Sequence, residues 1–361
     1  MRGHDLTSSH LAEPPLPPID ASDVTPYRLA ALGRSVVDRT WAHGLPTWSW
    51  GEAVALVGMV RFSDALGDDV PAGVSRWLDD RFAEGVHIEH VNDVAPGIAA
   101  VLMGGGDDDS TLSRVQPLVS WVESSPPATR SANGAIEHWP GGVWADTAFM
   151  AGVFLGHVGA AGGDGRLLDE CGHQLVAHAE ILQAPSGLFA HGSHRGETIP
   201  CFWGRANAWC ALAAVEYLEL AKSTGTADLS LIERVSGVLL RQLVALADSQ
   251  PDHGVWSVLV DEQPECAGIV EASAAAGIAA AMVRAAGVVP ELPTAVVDAG
   301  WLAIRGALAY VDGDGTLTRT SAGTVLQLIP FGYSVIRSDR LQLWGQGLAL
   351  HAIAAAIEAL S

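Results

Sequence analysis

The run GGVWADTAFMAGVFLG, residues 141 to 156, sets one carboxylate, Asp146, among Trp144, Phe149, Met150 and Phe154. Burial among apolar side chains raises a carboxyl pKa and suits the group to donate a proton. The same aspartate also fits a helix N-cap, where backbone N–H groups would hold its pKa down. Asp93, in HIEHVNDVAPGIAAV, carries the same two readings, with Asn92 beside it and Pro96 and Gly97 just inside the next helix. In PCFWGRANAW, residues 200 to 209, the permanent charge of Arg205 lies between Trp203 and Trp209. A partly buried cation needs a partner, by default a core salt bridge. Glu271, in IVEASA, is either a structural acid bonded to backbone or to Arg205, or a second working carboxylate. Paired with Asp146 it would give the arrangement of an inverting glycosidase, two carboxylates roughly 6.5–9.5 Å apart, and Asp93 is the other acid that could fill that place.

His191, His194 and Arg195 share the loop GLFAHGSHRGE, where histidines are more often solvated than catalytic. No metal centre is expected. His173 and His178 are five apart, and His191 and His194 have no third ligand at a usable spacing. No nucleophile elbow, phosphate loop or dinucleotide loop is present. Asp312 and Asp314 in YVDGDGTL read as a turn, since the rest of a calcium loop is missing. What remains is a set of tryptophans, an arginine, a histidine and one or two acids. Tryptophan faces stack on sugar rings, arginine forks a carboxylate, and an acid donates a proton. That combination suits a small acidic sugar.

These groups must be held by helices, because apolar residues recur at helical spacing and very little of the chain alternates like a strand. The pattern predicts about twelve helices, near 26–41, 50–66, 71–84, 91–103, 111–123, 145–158, 166–182, 205–222, 229–249, 269–286, 293–309 and 344–360. Gly, Pro and Asp-rich links separate them, alternating loosely between short and long, as antiparallel helix pairs require. Six such pairs make an all-α, closed (α/α)6 toroid, with Ala and Gly-rich helices such as ASAAAGIAAAM inside. A solenoid is the alternative, but no fixed repeat period is visible. The expected organisation is a flexible Pro-rich arm over 1–24 and one barrel domain over 25–361.

Forty-nine per cent hydrophobic residues and 17% charged ones among 361 describe a globular chain. A formal net charge of −21 with only 20 Lys and Arg argues against nucleic acid as a partner. A few cations in a cleft can still reverse the local field for a small anion. The N-terminus lacks a basic-then-apolar leader pattern, so a cytoplasmic protein is expected, without a membrane-spanning segment and as a monomer or homodimer. Cys171, Cys201, Cys210 and Cys266 show no C-x-x-C pairing and read as reduced core thiols.

VWADTAFMAGVFL and FWGRANAWCALAAVEYLEL, with WSWGEAVALVGM, VNDVAPGIAAVL, GLFAHG, GVWSVLVDE and GIVEASAAAGIAAAM in order, span about residues 48–286. In these segments the chain resembles the unsaturated rhamnogalacturonyl hydrolases and, more distantly, the unsaturated glucuronyl hydrolases, glycoside hydrolase families 105 and 88. The resemblance implies a six-hairpin toroid with a pocket at one end. It also implies removal of a Δ4,5-unsaturated uronic acid from the non-reducing end of lyase-made oligosaccharides by hydration of the double bond, without cofactor.

Position by position, the resemblance makes Asp146 the catalytic acid/base and Trp203, Arg205 and Trp209 pocket residues, with Trp144 in the Asp146 segment. Arg205 or His191 would hold the uronate carboxylate. Trp50 stands where an aromatic Tyr is usual, and His138 in GAIEHWP is a weak match within reach of substrate. Aligned on Pro96 and Gly97, the second acidic position of the family reads Asn92, with Asp93 one place off. HGSHRGE and the WGQG run that includes Trp344 also depart from the common pattern, which implies an unusual substrate preference.

Overall fold

The computed structural model describes residues 14–104 and 109–361. Helices follow one another in six hairpins. α1 (Pro26–His43) pairs with α2 (Trp50–Leu66), and α3 (Ala72–Glu84) with α4 (Pro96–Met103), which a 3-10 turn, Val91–Val94, precedes. α5 (Asp109–Ser124) pairs with a compound segment in which α6 (Ala145–Thr147) and α7 (Phe154–Gly162) are joined by a π-helical stretch, Ala148–Val153. α8 (Gly165–Leu182) pairs with α9 (Gly204–Thr224), and α10 (Leu229–Asp248) with α11 (Ala272–Ala285). α12 (Thr294–Leu308) leads through a short α13 (Pro330–Ser334) to α14 (Leu343–Leu360). The expected helices are present, the fourth and sixth broken into the pieces just named. Among the described residues the one strand pair is the tiny hairpin Ser193–His194 and Glu197–Thr198.

Local chemistry sets the ends. Thr25 caps α1 ahead of Pro26, Asp164 caps α8 and Asp228 caps α10, each accepting a backbone N–H with its side chain. Gly67, Gly163 and Gly225 stop α2, α7 and α9 in the left-handed conformation that glycine adopts without a Cβ penalty.

The second member of every hairpin is the inner one. α2, α4, α7, α9, α11 and α14 are buried on nearly all sides, and each packs on the next until α14 returns to α2, closing the ring. Their sequences must therefore be apolar all round rather than striped. α14 is the one helix among the described residues with the length and hydropathy to cross a membrane, yet 78% of it is buried inside the ring. All four cysteines are buried and unpaired.

One inner contact is backbone on backbone, Gly58 of α2 against Gly347 of α14. A Cβ on Gly347 would run into the Val54 carbonyl, which a flexible side chain could avoid but a helix backbone cannot. Gly347→Ala is expected to destabilise the protein by about 1–3 kcal/mol, outweighing the roughly 1 kcal/mol that alanine gains in helix propensity. A lower urea midpoint at unchanged slope is the measurement.

Residues 1–13 of the expected arm lie outside the described residues. Its remaining part is tied down rather than loose: Leu16 N–H donates to the Tyr310 hydroxyl (2.8 Å), and Ile19 exchanges bonds with Arg305 (3.1 and 2.8 Å).

Candidate active site

Because each inner helix follows an outer one, all six start at the same end of the ring. The candidate residues sit at those starts. Trp50 opens α2, Asn92 and Asp93 lie in the turn before α4, and Asp146 is in the first turn of α6. Trp203 and Glu271 stand at the N-caps of α9 and α11, Arg205 is in the first turn of α9, and Trp344 is in the first turn of α14. Six helix N-termini, each with a partial positive charge of up to about 0.5, thus face one region. This local field favours an anion despite the acidic surface.

Asp146 is 14% exposed and meets the fully buried His191, whose Nε2 lies 3.4 Å from Oδ2. The loop that brings His191 there is sewn onto the segment entering α6. Ala145 N–H donates to the His191 carbonyl (2.9 Å), His191 N–H to Cys201 (2.9 Å), and Trp144 bridges to Gly192. His191 Nδ1 is 2.7 Å from the Tyr333 hydroxyl. The imidazole lies between Trp144 and Trp203, at ring distances of 5.2 and 4.4 Å. His138 stacks face to face on Trp144 (4.3 Å, 11°) with its Nδ1 3.0 Å from Thr147 Oγ1, and His90 meets His138 edge-on at 4.6 Å.

Burial pushes the Asp146 carboxyl up, but contact with His191 and the fields of His191, His138 and Arg205 outweigh it, so the pKa lies below the ordinary value. The expectation of a raised carboxyl is corrected: the histidines and arginine around it, not its apolar sequence neighbours, decide the balance. The N-cap alternative is corrected as well, because Trp144 occupies that position and Asp146 turns to His191. Burial drives His138 down to about 3, so this ring is neutral near pH 7.

Arg205 does not face a cleft. Its side chain is 0% exposed and donates to Glu271 (3.1 Å), the Ser321 hydroxyl and carbonyl (2.8 and 3.0 Å), the Ala322 carbonyl (3.0 Å) and Thr324 Oγ1 (3.3 Å). The guanidinium lies over Trp203 at 4.3 Å and nears Trp344 at 5.5 Å. The assignment of Arg205 to the substrate carboxylate is therefore corrected: its Nη groups are spent on fastening segment 321–324 to the start of α9. Glu271 is equally committed. It caps α11 through Ala274 N–H and accepts from Ser321 N–H (2.8 Å) and from both the Ser273 and Ser321 hydroxyls. Neither substrate binding nor a paired-carboxylate role is left to it.

Asp93 is corrected too. Its Oδ2 accepts from the backbone of Glu89 (3.0 Å) and His90 (2.9 Å), closing a capping box on the turn before α4. Asn92 remains at the aligned position, with its buried Oδ1 lacking a partner. Trp209 is a core residue packed on Phe149 (5.2 Å), not a pocket wall, because it lies a full turn into α9. Trp50 and Trp344 are half-buried and stack on each other (4.4 Å, 26°), with Trp344 Nε1 donating to Ser321 (3.1 Å). His194 is on the exposed hairpin, and Arg195 turns it with a positive φ.

Sequence reasoning does not reach His90, Thr147, Tyr333 or segment 321–324. Tyr333 sits in PFGYS, two residues after Phe331 on a long connection with no spacing relation to Asp146. Only the His90–Asp93 capping box in HVNDVAPG carries a local signal, which points to a turn rather than to chemistry.

A model of Glycosyl Hydrolase Family 88 matches residues 33–360. Unsaturated rhamnogalacturonyl hydrolase YesR of Bacillus subtilis is 29% identical over 329 residues, covering 87% of this chain and 91% of that protein. A possible member of the GH105 family from Klebsiella pneumoniae aligns with TM-score 0.80 at 25% identity, over 99% of this chain and 98% of the other. Unsaturated glucuronyl hydrolase from Bacillus sp. GL1 shares the fold, with TM-score 0.67 and 15% identity over 91% of this chain and 96% of its own. The chain belongs to Glycosyl Hydrolase Family 88 and is a glycoside hydrolase.

Proposed function

We propose that the enzyme removes a Δ4,5-unsaturated uronic acid from the non-reducing end of an oligosaccharide by hydrating its C4=C5 bond, with Asp146 as the single acid/base. One observation carries the reading. Of the three candidate acids, Asp93 holds two backbone N–H groups with Oδ2 and Glu271 is committed to backbone and to Arg205, whereas Asp146, 14% exposed, meets only His191 as a charged or polar partner among the described residues. An inverting displacement needs a second free carboxylate across the scissile bond. Hydration of a vinyl ether does not.

Protonation of C4 by Asp146 leaves positive charge shared between C5 and the ring oxygen. Water adds to C5 while the Asp146 carboxylate takes its proton, and the acid form is restored. The resulting hemiketal opens to a C5 ketone, and the hemiacetal at C1 releases the aglycone alcohol. The ring of helix N-termini supports binding of the anionic sugar, and Trp50, Trp144 and Trp344 supply half-buried faces for stacking.

Acid catalysis requires a proton that the resting carboxylate, held below the ordinary range, does not keep at neutral pH. The substrate supplies the correction. Its own carboxylate, brought beside Asp146, repels the ionised form, and filling the mouth removes water from it; both raise the pKa. Incubation with unsaturated disaccharides from pectin, glycosaminoglycan and ulvan lyases, followed by loss of the ultraviolet absorbance of the conjugated double bond, tests the proposal. Persistence of the absorbance with every substrate would sink it.

A further inference from the structure

Segment 325–335, between α12 and α14, carries Val325, Leu328, Ile329, Phe331 and Val335 more than half exposed, while Tyr333 alone is fully buried. Its hydroxyl has one hydrogen and two lone pairs. Gln327 N–H points at the oxygen (3.4 Å) and occupies a lone pair. Burial drives the phenol pKa upward, so the hydrogen is retained. The remaining partner is His191 Nδ1 at 2.7 Å, which receives it. A neutral imidazole that accepts at Nδ1 carries its proton on Nε2, the atom 3.4 Å from Asp146 Oδ2.

We propose that Tyr333 is a positioning residue of the reaction: its hydroxyl selects the His191 tautomer that presents Nε2–H to Asp146, so segment 325–335 belongs to the catalytic apparatus. This rests on the proposed acid/base role of Asp146. When Asp146 gives its proton to C4, a carboxylate forms, and a fixed Nε2–H stabilises the charge as it develops. Without the tyrosine hydroxyl, His191 is free to hold its proton on Nδ1 and offer Asp146 a lone pair instead. The other ionisable groups around the pair are His138, neutral at pH 7, His90 behind it, Arg205 with Glu271 beyond Trp203, and the thiols Cys210 near Asp146 and Cys201 and Cys266 near Tyr333, all pushed up by burial.

The test is nitrogen-15 NMR of the histidine side chains, assigned with a His191→Gln control, on wild-type protein and Tyr333→Phe. Wild type should show His191 protonated at Nε2 and unprotonated at Nδ1 near neutral pH, and Tyr333→Phe should show a mixture of tautomers. Loss of the fixed donor also raises the Asp146 pKa, so the alkaline limb of the kcat/KM profile should move to higher pH. On the acid side of that limb, kcat should fall about ten- to hundredfold with KM little changed. A wild-type imidazole protonated at Nδ1, or a limb that stays in place in a variant of unchanged Tm, would overturn the proposal. The wild-type spectrum needs no substrate, so a wrong tautomer is distinguishable from a failed hydration assay.

Discussion

Asp146→Asn is expected to lower kcat on a turned-over unsaturated disaccharide by about 10²–10⁴-fold while KM changes little. Asparagine keeps the size and the stacking environment set by Trp144 and His138, but neither donates a proton to C4 nor accepts one from water. A variant that retained wild-type kcat would remove Asp146 from the mechanism outright. The wild-type pH profile adds an independent reading. kcat/KM reports the free enzyme and kcat the substrate complex. The group that must be protonated should therefore titrate higher in kcat than in kcat/KM, because only the complex holds the substrate carboxylate beside Asp146. Equal values would mean that substrate binding does not turn the resting carboxylate into an acid.

Stability should follow with a definite sign. The folded-state pKa of Asp146 is depressed, so its ionised form stabilises the fold at pH values above the unfolded pKa. That contribution disappears as pH falls through the folded value. Asp146→Asn should thus melt below wild type at neutral pH and converge with it in acid.

The toroid is legible in the sequence because its two rings impose different local patterns. Outer helices such as α10 are striped, inner ones such as α11 and α14 are apolar all round, and Gly and Pro-rich links mark the turns between them. Asp146 and His191, each in a short run with a distinctive composition, are candidates the sequence offers separately and the structure brings together. What spacing does not decide is which partner each charge has. Arg205 meets Glu271 across 66 positions and Ser321 across 116, and His191 meets Tyr333 across 142. No local pattern encodes those distances. The sign of the Asp146 pKa shift is hidden for the same reason: its sequence neighbours are apolar, but its spatial neighbours are two histidines and an arginine. Trp209 shows the opposite error. This tryptophan is close in sequence to the site and reads as part of it, although four residues along an inner helix lead from the mouth into the core.

Arg205→Met is expected to cost about 3–5 kcal/mol of stability, since it strands the Glu271 carboxylate, 1% exposed, without its cation. Glu271→Leu should cost a similar amount by stranding the guanidinium. Joining the two replaces a buried ion pair by apolar groups of similar bulk, so the double variant should recover a large part of the loss rather than show the sum. Recovery of stability will not restore activity. Segment 321–324 is fastened to the start of α9 by the four hydrogen bonds that Arg205 gives to Ser321, Ala322 and Thr324, and Trp344 hangs on Ser321 in turn. Releasing that segment frees Trp344 from its place against Trp50 and loosens the connection that leads to Tyr333. A direct clamp on the substrate carboxylate would behave otherwise: Arg205→Met would then raise KM sharply in a protein of nearly wild-type stability. Urea unfolding of the three variants alongside their kcat and KM separates the two roles, because a buried fastener lowers the urea midpoint first and a clamp leaves it in place.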